Sequence, residues 1–138
     1  MHTIHKYFEY ETKGNTDIIN ISNDVIHFIK QSDIKEGIAV VFAKGSTCAI
    51  TTIEYESGLK LDFIDALERI VPKNIKYHHN DKWMDGNGHA HIRASHIGQS
   101  ESIPIIDGVM VLGRWQQIIF IDFDNKSRHR KVTVQIVN

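Results

Sequence analysis

Isoleucine dominates the apolar part of this sequence, with 22 isoleucines against 4 leucines. β-Branched side chains are restricted at χ1 and pack well on a pleated, half-buried surface, so this preference favours β-sheet over helix. Alternating or continuous apolar runs predict strands at 2–12, 17–21, 37–43, 48–56, 88–97, 102–106, 109–112, 115–123 and 129–137. Runs of strands with few helices predict an α+β fold with mostly antiparallel pairing.

Two segments have the spacing of amphipathic helices. Capping side chains at 22–24 precede apolar residues at helical spacing, which predicts a short helix that ends near Ser32. Apolar residues at i, i+4, i+8 and i+11 predict a second helix over 59–71, which Pro72 stops. With 73–86 as a polar loop, the expected order is roughly β2-α-β2-α-β5, in a single domain over 1–138.

Composition excludes several classes of protein. No apolar run approaches the roughly 20 residues of a membrane span, so we expect no membrane partner. The charged N-terminal segment lacks the apolar core of a secretory signal, so we expect a cytoplasmic location. The single cysteine, Cys48, excludes an internal disulfide and a thiolate zinc cluster. The net charge is −1, and the one basic cluster, at 128–131, is interpreted as a solvated face, so we expect no nucleic acid partner.

The segment "GNGHAHIRASHIG" (86–98) carries most of the polar chemistry. In a strand, its ionisable and hydroxyl side chains would share one face: His89, His91, Arg93 and Ser95. Imidazoles two residues apart on a strand start about 6.6 Å apart and can bind one zinc ion at about 2.0–2.1 Å. The pattern therefore predicts a divalent metal site, with zinc as the expected ion.

A third ligand would complete an open catalytic site. The preceding loop offers His78, His79, Asp81 and Asp85, and spacing does not choose between them. Glu54, on the strand 48–56, is a candidate acceptor for an imidazole N–H or for a proton.

The same row of side chains has alternative interpretations. Arg93 and Ser95 suit a phosphate or carboxylate group of a substrate, and we assign them, with Glu54, as candidate catalytic residues. Arg93 could instead form an ion pair with Glu54, Glu56 or Asp85. The whole row could equally be a solvated or hydrogen-bonded face with no ligand.

Four segments together resemble the YjbQ-like family, also called secondary thiamine-phosphate synthase. They are "GSTCAITTIEYESG" (45–58), "YHHNDKWMDGNGHAHIRAS" (77–95), "SIPIIDGVMVLGRWQQIIFIDFD" (102–124) and "RHRKVTVQI" (128–136). The resemblance implies an α/β sandwich with two helices, and a homotrimer with sites near subunit interfaces. It also implies that His79, His89 and His91 form the metal-binding group. Many members carry histidine at Gly45 and threonine at Arg114, so this chain lacks one imidazole and gains a cation.

The function expected from the residues and the resemblance is that of a metal-dependent enzyme acting on a small phosphorylated metabolite. The activity that the resemblance implies is that of a low-activity thiamine-phosphate synthase, a transferase that joins a thiazole phosphate to a pyrimidine diphosphate with loss of pyrophosphate. The alternative is a non-catalytic trimer that binds a metal or a phosphorylated metabolite. A purely structural role for the polar row predicts neither metal nor ligand.

Overall fold

A computed structural model describes all 138 residues, as two antiparallel sheets and four helices. The elements in chain order are β1 (Thr3–Thr12), β2 (Asp17–Asn20), α1 (Ser22–Ser32), β3 (Gly37–Lys44), β4 (Cys48–Glu54), α2 (Ser57–Ile70), α3 (His78–Trp83), α4 (Gly88–Ile97), β5 (Ser100–Ile106), β6 (Val109–Met110), β7 (Gln116–Asp122) and β8 (Arg128–Val137). The predicted α+β class with antiparallel sheets is confirmed.

The two sheets pack face to face. The larger sheet has the order β1-β8-β3-β5-β6 and the smaller one β2-β7-β4, with every neighbouring pair antiparallel. Alternate residues of β8, Val132, Val134 and Ile136, are fully buried between the sheets together with Ile118 and Phe120 of β7. The alternation of β-branched residues therefore supplies the main core.

A second, smaller core lies on the other face of the smaller sheet. Ile119 and Ile121 of β7 point to this side and pack with Leu67 of α2 and with Ala90 and Ala94 of α4. Strand β7 is thus buried on both faces, as its continuous apolar sequence predicts. Helices α2 and α4 form a third layer on the outer side of β4 and β7, whereas α1 packs into the main core.

Helix α2 begins two residues earlier than its apolar spacing predicts, because Glu56 caps it. The Glu56 carboxylate accepts hydrogen bonds from the backbone N–H groups of Gly58 at 2.7 Å and Leu59 at 2.8 Å. These two bonds, the Gly58 bond first, lower the pKa of Glu56. The Glu56 carboxylate is therefore engaged in capping α2 and does not form the ion pair with Arg93 that the sequence offers.

The predicted strand over 88–97 is wrong, since this segment forms α4. Ala90 and Ala94 lie at i and i+4 with no exposed surface, and Ile97 continues the same helix face. Alanine also has the highest intrinsic helix propensity. The expected polar loop over 73–86 likewise contains α3, so the order is two strands, one helix, two strands, three helices and four strands.

None of the four helices has the length and apolarity that a membrane crossing requires.

Candidate metal centre

Three side chains from α3, α4 and the loop between them meet at one place. One ligand atom from each of His79, Asp85 and His91 lies within 4.8 Å of the other two. The Nε2 atom of His79 is 3.2 Å from Oδ1 and 3.4 Å from Oδ2 of Asp85. The rings of His79 and His91 meet edge to face, with their centroids 4.6 Å apart.

Backbone groups hold two of these side chains in place. The Nδ1 atom of His91 lies 3.2 Å from the carbonyl oxygen of Ser46, and a proton donated there leaves Nε2 free as a ligand. The Asp85 carboxylate accepts a hydrogen bond of 3.0 Å from the Asn87 N–H. This bond, followed by the His79 contact, lowers the pKa of Asp85, so its carboxylate is ionised at neutral pH.

The close approach of α3 to α4 depends on a glycine at the start of α4. A Cβ atom on Gly88 would lie 2.5 Å from the Cβ of Tyr77. The Gly88 N–H donates a hydrogen bond of 2.9 Å to the Asn80 side-chain oxygen, which ties the two helices together. The "GNG" part of the segment thus serves helix packing.

The donor set fits a divalent metal ion. Two imidazoles and one carboxylate are the three protein ligands of many open zinc sites. Ligand atoms of a tetrahedral zinc site are about 3.3 Å apart, as follows from bonds of about 2.0–2.1 Å. The His79 Nε2 atom and the two Asp85 carboxylate oxygens, 3.2 and 3.4 Å apart, lie at ion-pair distance. The three ligand atoms lie within 4.8 Å of one another, so a bound ion would draw them closer together.

His89 does not join this group, and the strand geometry predicted for it is wrong. Residues two apart on a helix point in nearly opposite directions, since each residue turns by about 100°. His91 is only partly buried, whereas His89 is 1% exposed and its Nδ1 atom has no hydrogen-bond partner. Burial, followed by the nearby Arg93 and Lys73 charges, lowers the pKa of His89. Of the three expected metal ligands, the structure brings together His79 and His91.

Arg93 points into the protein and not toward the metal centre. Its Nε and Nη2 atoms donate to the Val71 carbonyl at 3.0 and 2.8 Å, Nη1 donates to Thr16 Oγ1 at 3.3 Å, and Nη2 donates to Glu68 at 2.7 Å. Arg93 does form an ion pair, but its partner is Glu68, so the predicted pairing with Glu54, Glu56 or Asp85 is wrong.

The other two candidate catalytic residues also lie outside the cluster. Ser95 is exposed and its hydroxyl donates to the Ile92 carbonyl of its own helix at 3.1 Å. Glu54 is exposed at the end of β4 and lines a shallow cleft of about 360 Å³ with Trp115. Neither side chain contacts His79, Asp85 or His91, so their assignment as catalytic residues has no geometric support here.

The loop beside the metal centre has no room for a side chain at Gly45. A Cβ atom there would be 2.7 Å from Cys48 Sγ and 3.1 Å from Arg130 Nη1. Arg130 is held by Asp122, to which its Nε donates at 2.8 Å, and its side chain is 14% exposed. The interpretation of 128–131 as a wholly solvated face is therefore wrong for Arg130, whose guanidinium occupies the space next to Gly45.

Sequence reasoning offered Asp85 as one of four loop candidates but did not select it, and it missed Ser46. The helical spacing of Ala90 and Ala94 is the feature of the sequence that indicates the correct orientation of His91. It places His91 at the edge of the buried helix face, about 100° from Ala90 and on the side away from His89, where a ligand from the preceding loop can reach it.

Comparison with known proteins gives consistent matches over the whole chain. The family model described as UPF0047 protein YjbQ-like matches residues 6–138. A UPF0047 protein of Methanocaldococcus jannaschii is 36% identical over 99% of this chain and 98% of its own length. A crystal structure of a YbjQ-like protein of unknown function from Sulfolobus solfataricus superimposes with a TM-score of 0.92 at 29% identity, covering 98% of this chain and 96% of that one. An uncharacterised YjbQ/UPF0047 protein of Clostridium acetobutylicum gives 0.87 at 36% identity, with 96% and 99% covered.

Proposed function

The chain belongs to the YjbQ-like UPF0047 family. From the chemistry of its candidate metal centre, we propose that it is a metal-dependent enzyme acting on a small phosphorylated metabolite. The reaction that we propose to test is that of a low-activity thiamine-phosphate synthase. The observation that carries the proposal is the meeting of His79, Asp85 and His91 within 4.8 Å. A cytoplasmic location remains a prediction from the sequence.

The roles within the proposed site follow from the contacts of each residue. His79, Asp85 and His91 would hold the ion, which we expect to be zinc, and Ser46 and Asn87 would orient His91 and Asp85. A bound divalent ion supplies positive charge that stabilises the negative charge developing on a phosphoryl leaving group. Since Arg93 is engaged inside the protein, it would stabilise α4 rather than contact the substrate.

The second candidate function is a protein that binds the metal or a phosphorylated metabolite without turnover. The placement of Arg93, Ser95 and Glu54 favours it, since none of the three expected catalytic side chains contacts the metal centre. Metal binding is common to both candidates, so it must be tested first.

We also propose that the chain forms a homotrimer through the outer face of the larger sheet. This face carries exposed apolar side chains on adjacent strands, with Ile38 49%, Phe42 45% and Ile106 52% exposed. Ile38 pairs with Pro104 on the neighbouring strand, so the patch is continuous. Contiguous exposed apolar surface of this kind marks protein interfaces.

The metal is tested by zinc titration and elemental analysis of untagged protein. We expect one zinc per chain, and a loss of affinity of more than about 100-fold in His91→Ala and Asp85→Asn, above the 10–100-fold typical of outer-shell changes. His78→Ala is the matched control, because His78 is the exposed neighbour of His79 and lies outside the cluster. Equal affinity in all four proteins would refute the assignment of the site.

Turnover of thiazole phosphate with pyrimidine diphosphate then separates the two functions. An enzyme of the proposed kind loses its rate in Asp85→Asn and retains it in His78→Ala. A protein that binds zinc stoichiometrically but shows the same residual rate in both variants would be the non-catalytic binder.

A further inference from the structure

A cleft lies away from the candidate metal centre, between α1 and the segment that joins β6 to β7. Its volume is about 410 Å³, within the range of about 300–1,000 Å³ of small-molecule sites. Ile29 and Met110, which are 2% and 8% exposed, belong to the main core and line it, and Ile26 and Leu112 extend its apolar lining. The cleft shares no residue with the metal centre.

The charges that line this cleft are of one sign. Lys30 and Arg114 are its only ionisable residues, and no acidic residue lines it, although the chain as a whole has a net charge of −1. Neither cation forms a salt bridge with an acidic side chain. An apolar surface with two cations that have no acidic partner attracts a molecule that is apolar in its body and negatively charged at one point.

The segment that carries Arg114 is held in position. Its guanidinium stacks on the ring of Trp115, 4.8 Å from the ring centroid. The next side chain, Gln116, donates to Thr52 Oγ1 at 2.9 Å and accepts from the Gly113 N–H at 3.0 Å. Gln116 therefore ties the loop to β4 and to Gly113, while Arg114 is exposed.

We propose that this cleft is a binding site for a small organic anion with a compact apolar body and one carboxylate or phosphate group. The apolar part contacts Ile26, Ile29 and Met110, and the anion binds between Lys30 and Arg114. This site is independent of the proposed metal-dependent function, because it uses none of the metal ligands.

The probe for this site is 1-anilinonaphthalene-8-sulfonate, an aromatic anion whose fluorescence rises on apolar contact. The matched neutral probe, N-phenyl-1-naphthylamine, has the same body without the sulfonate. We expect Arg114→Gln and Lys30→Gln each to weaken binding of the anionic probe about tenfold, since each removes one charge-assisted contact. Binding of the neutral probe stays unchanged. Lys126→Gln, an exposed lysine outside the cleft, is the control and leaves both probes unaffected.

The apolar half of the site is tested with Ile26→Ser, which we expect to weaken both probes. Displacement of the anionic probe by phenyl phosphate assigns the anion as a phosphate, and displacement by phenylacetate assigns it as a carboxylate. The proposal is overturned if neither displaces the probe, or if the Arg114 and Lys30 variants bind it as the wild type does. A fall in probe affinity as protein concentration rises would instead assign the cleft to contact between two copies of the chain. Circular dichroism and zinc content, both unchanged, show that each variant is folded with its metal centre intact.

Discussion

Replacement of Arg93 tests whether this residue belongs to the protein interior or to a substrate site. In Arg93→Ala, the Val71 carbonyl loses two N–H donors, at 3.0 and 2.8 Å, within a buried environment. A buried acceptor left without a partner costs about 1–3 kcal/mol, and loss of two buried methylenes adds about 1.6 kcal/mol. We therefore expect a loss of about 3–5 kcal/mol in the free energy of unfolding.

The ion pair itself contributes little to this loss. The side chain of Glu68 is 51% exposed, so its carboxylate regains water when Arg93 is removed. Glu68→Gln is therefore expected to cost less than about 1 kcal/mol. Arg93→Met retains the apolar stem and removes the donors, so its stability should lie between those of Glu68→Gln and Arg93→Ala.

Urea unfolding monitored by circular dichroism measures these differences, at one fixed protein concentration because association would also stabilise the fold. The three variants should match the wild type in the zinc titration proposed above, since none of these residues belongs to the proposed metal site. A loss below about 1 kcal/mol in Arg93→Ala would contradict the inward hydrogen bonds and restore Arg93 as a candidate for substrate binding. An equal loss in Glu68→Gln and Arg93→Ala would show that the ion pair dominates.

Two further predictions concern other parts of the molecule. Gly45→Ala should destabilise the fold by about 1–3 kcal/mol through overpacking, because the new Cβ would lie 2.7 Å from Cys48 Sγ. Adding Cys48→Ala in a double variant should restore part of the lost stability. Thermal unfolding measures both effects. Contacts with Glu11 and then Glu9 raise the pKa of His129. The stabilising effect of His129 is therefore present below the ordinary histidine pKa and is lost as pH rises through the raised value. Wild type and His129→Gln should converge in stability at alkaline pH, and a constant difference from acid to alkaline pH would contradict this.

The sheets could be predicted from the sequence because several residues in each strand repeat the same apolar pattern. In β8, three β-branched residues alternate with polar ones, and in β7 a continuous apolar run identifies a strand buried on both faces. The first and last strands were placed within one residue of their observed bounds. Hydrophobic periodicity of this kind depends on burial alone and requires no knowledge of distant contacts.

The segment 88–97 could not be assigned in the same way, because its residues satisfy two periods. Ala90, Ile92 and Ala94 alternate as in a strand, while Ala90, Ala94 and Ile97 lie on one face of a helix. The deciding interaction is the packing of Ala90 and Ala94 against β7, which is far away in sequence. This choice also decides the site, since the helix separates His89 from His91 and directs Arg93 inward.

The two alanines beneath α4 have a consequence for how this protein can vary. Their small volume sets the height of the helix above the sheet, and with it the position of the imidazole that α4 presents to α3. A bulkier residue at either position would raise the helix and widen the gap between His91 and His79. The geometry of the proposed metal site therefore depends on the volume of two residues that contribute no ligand atom to it.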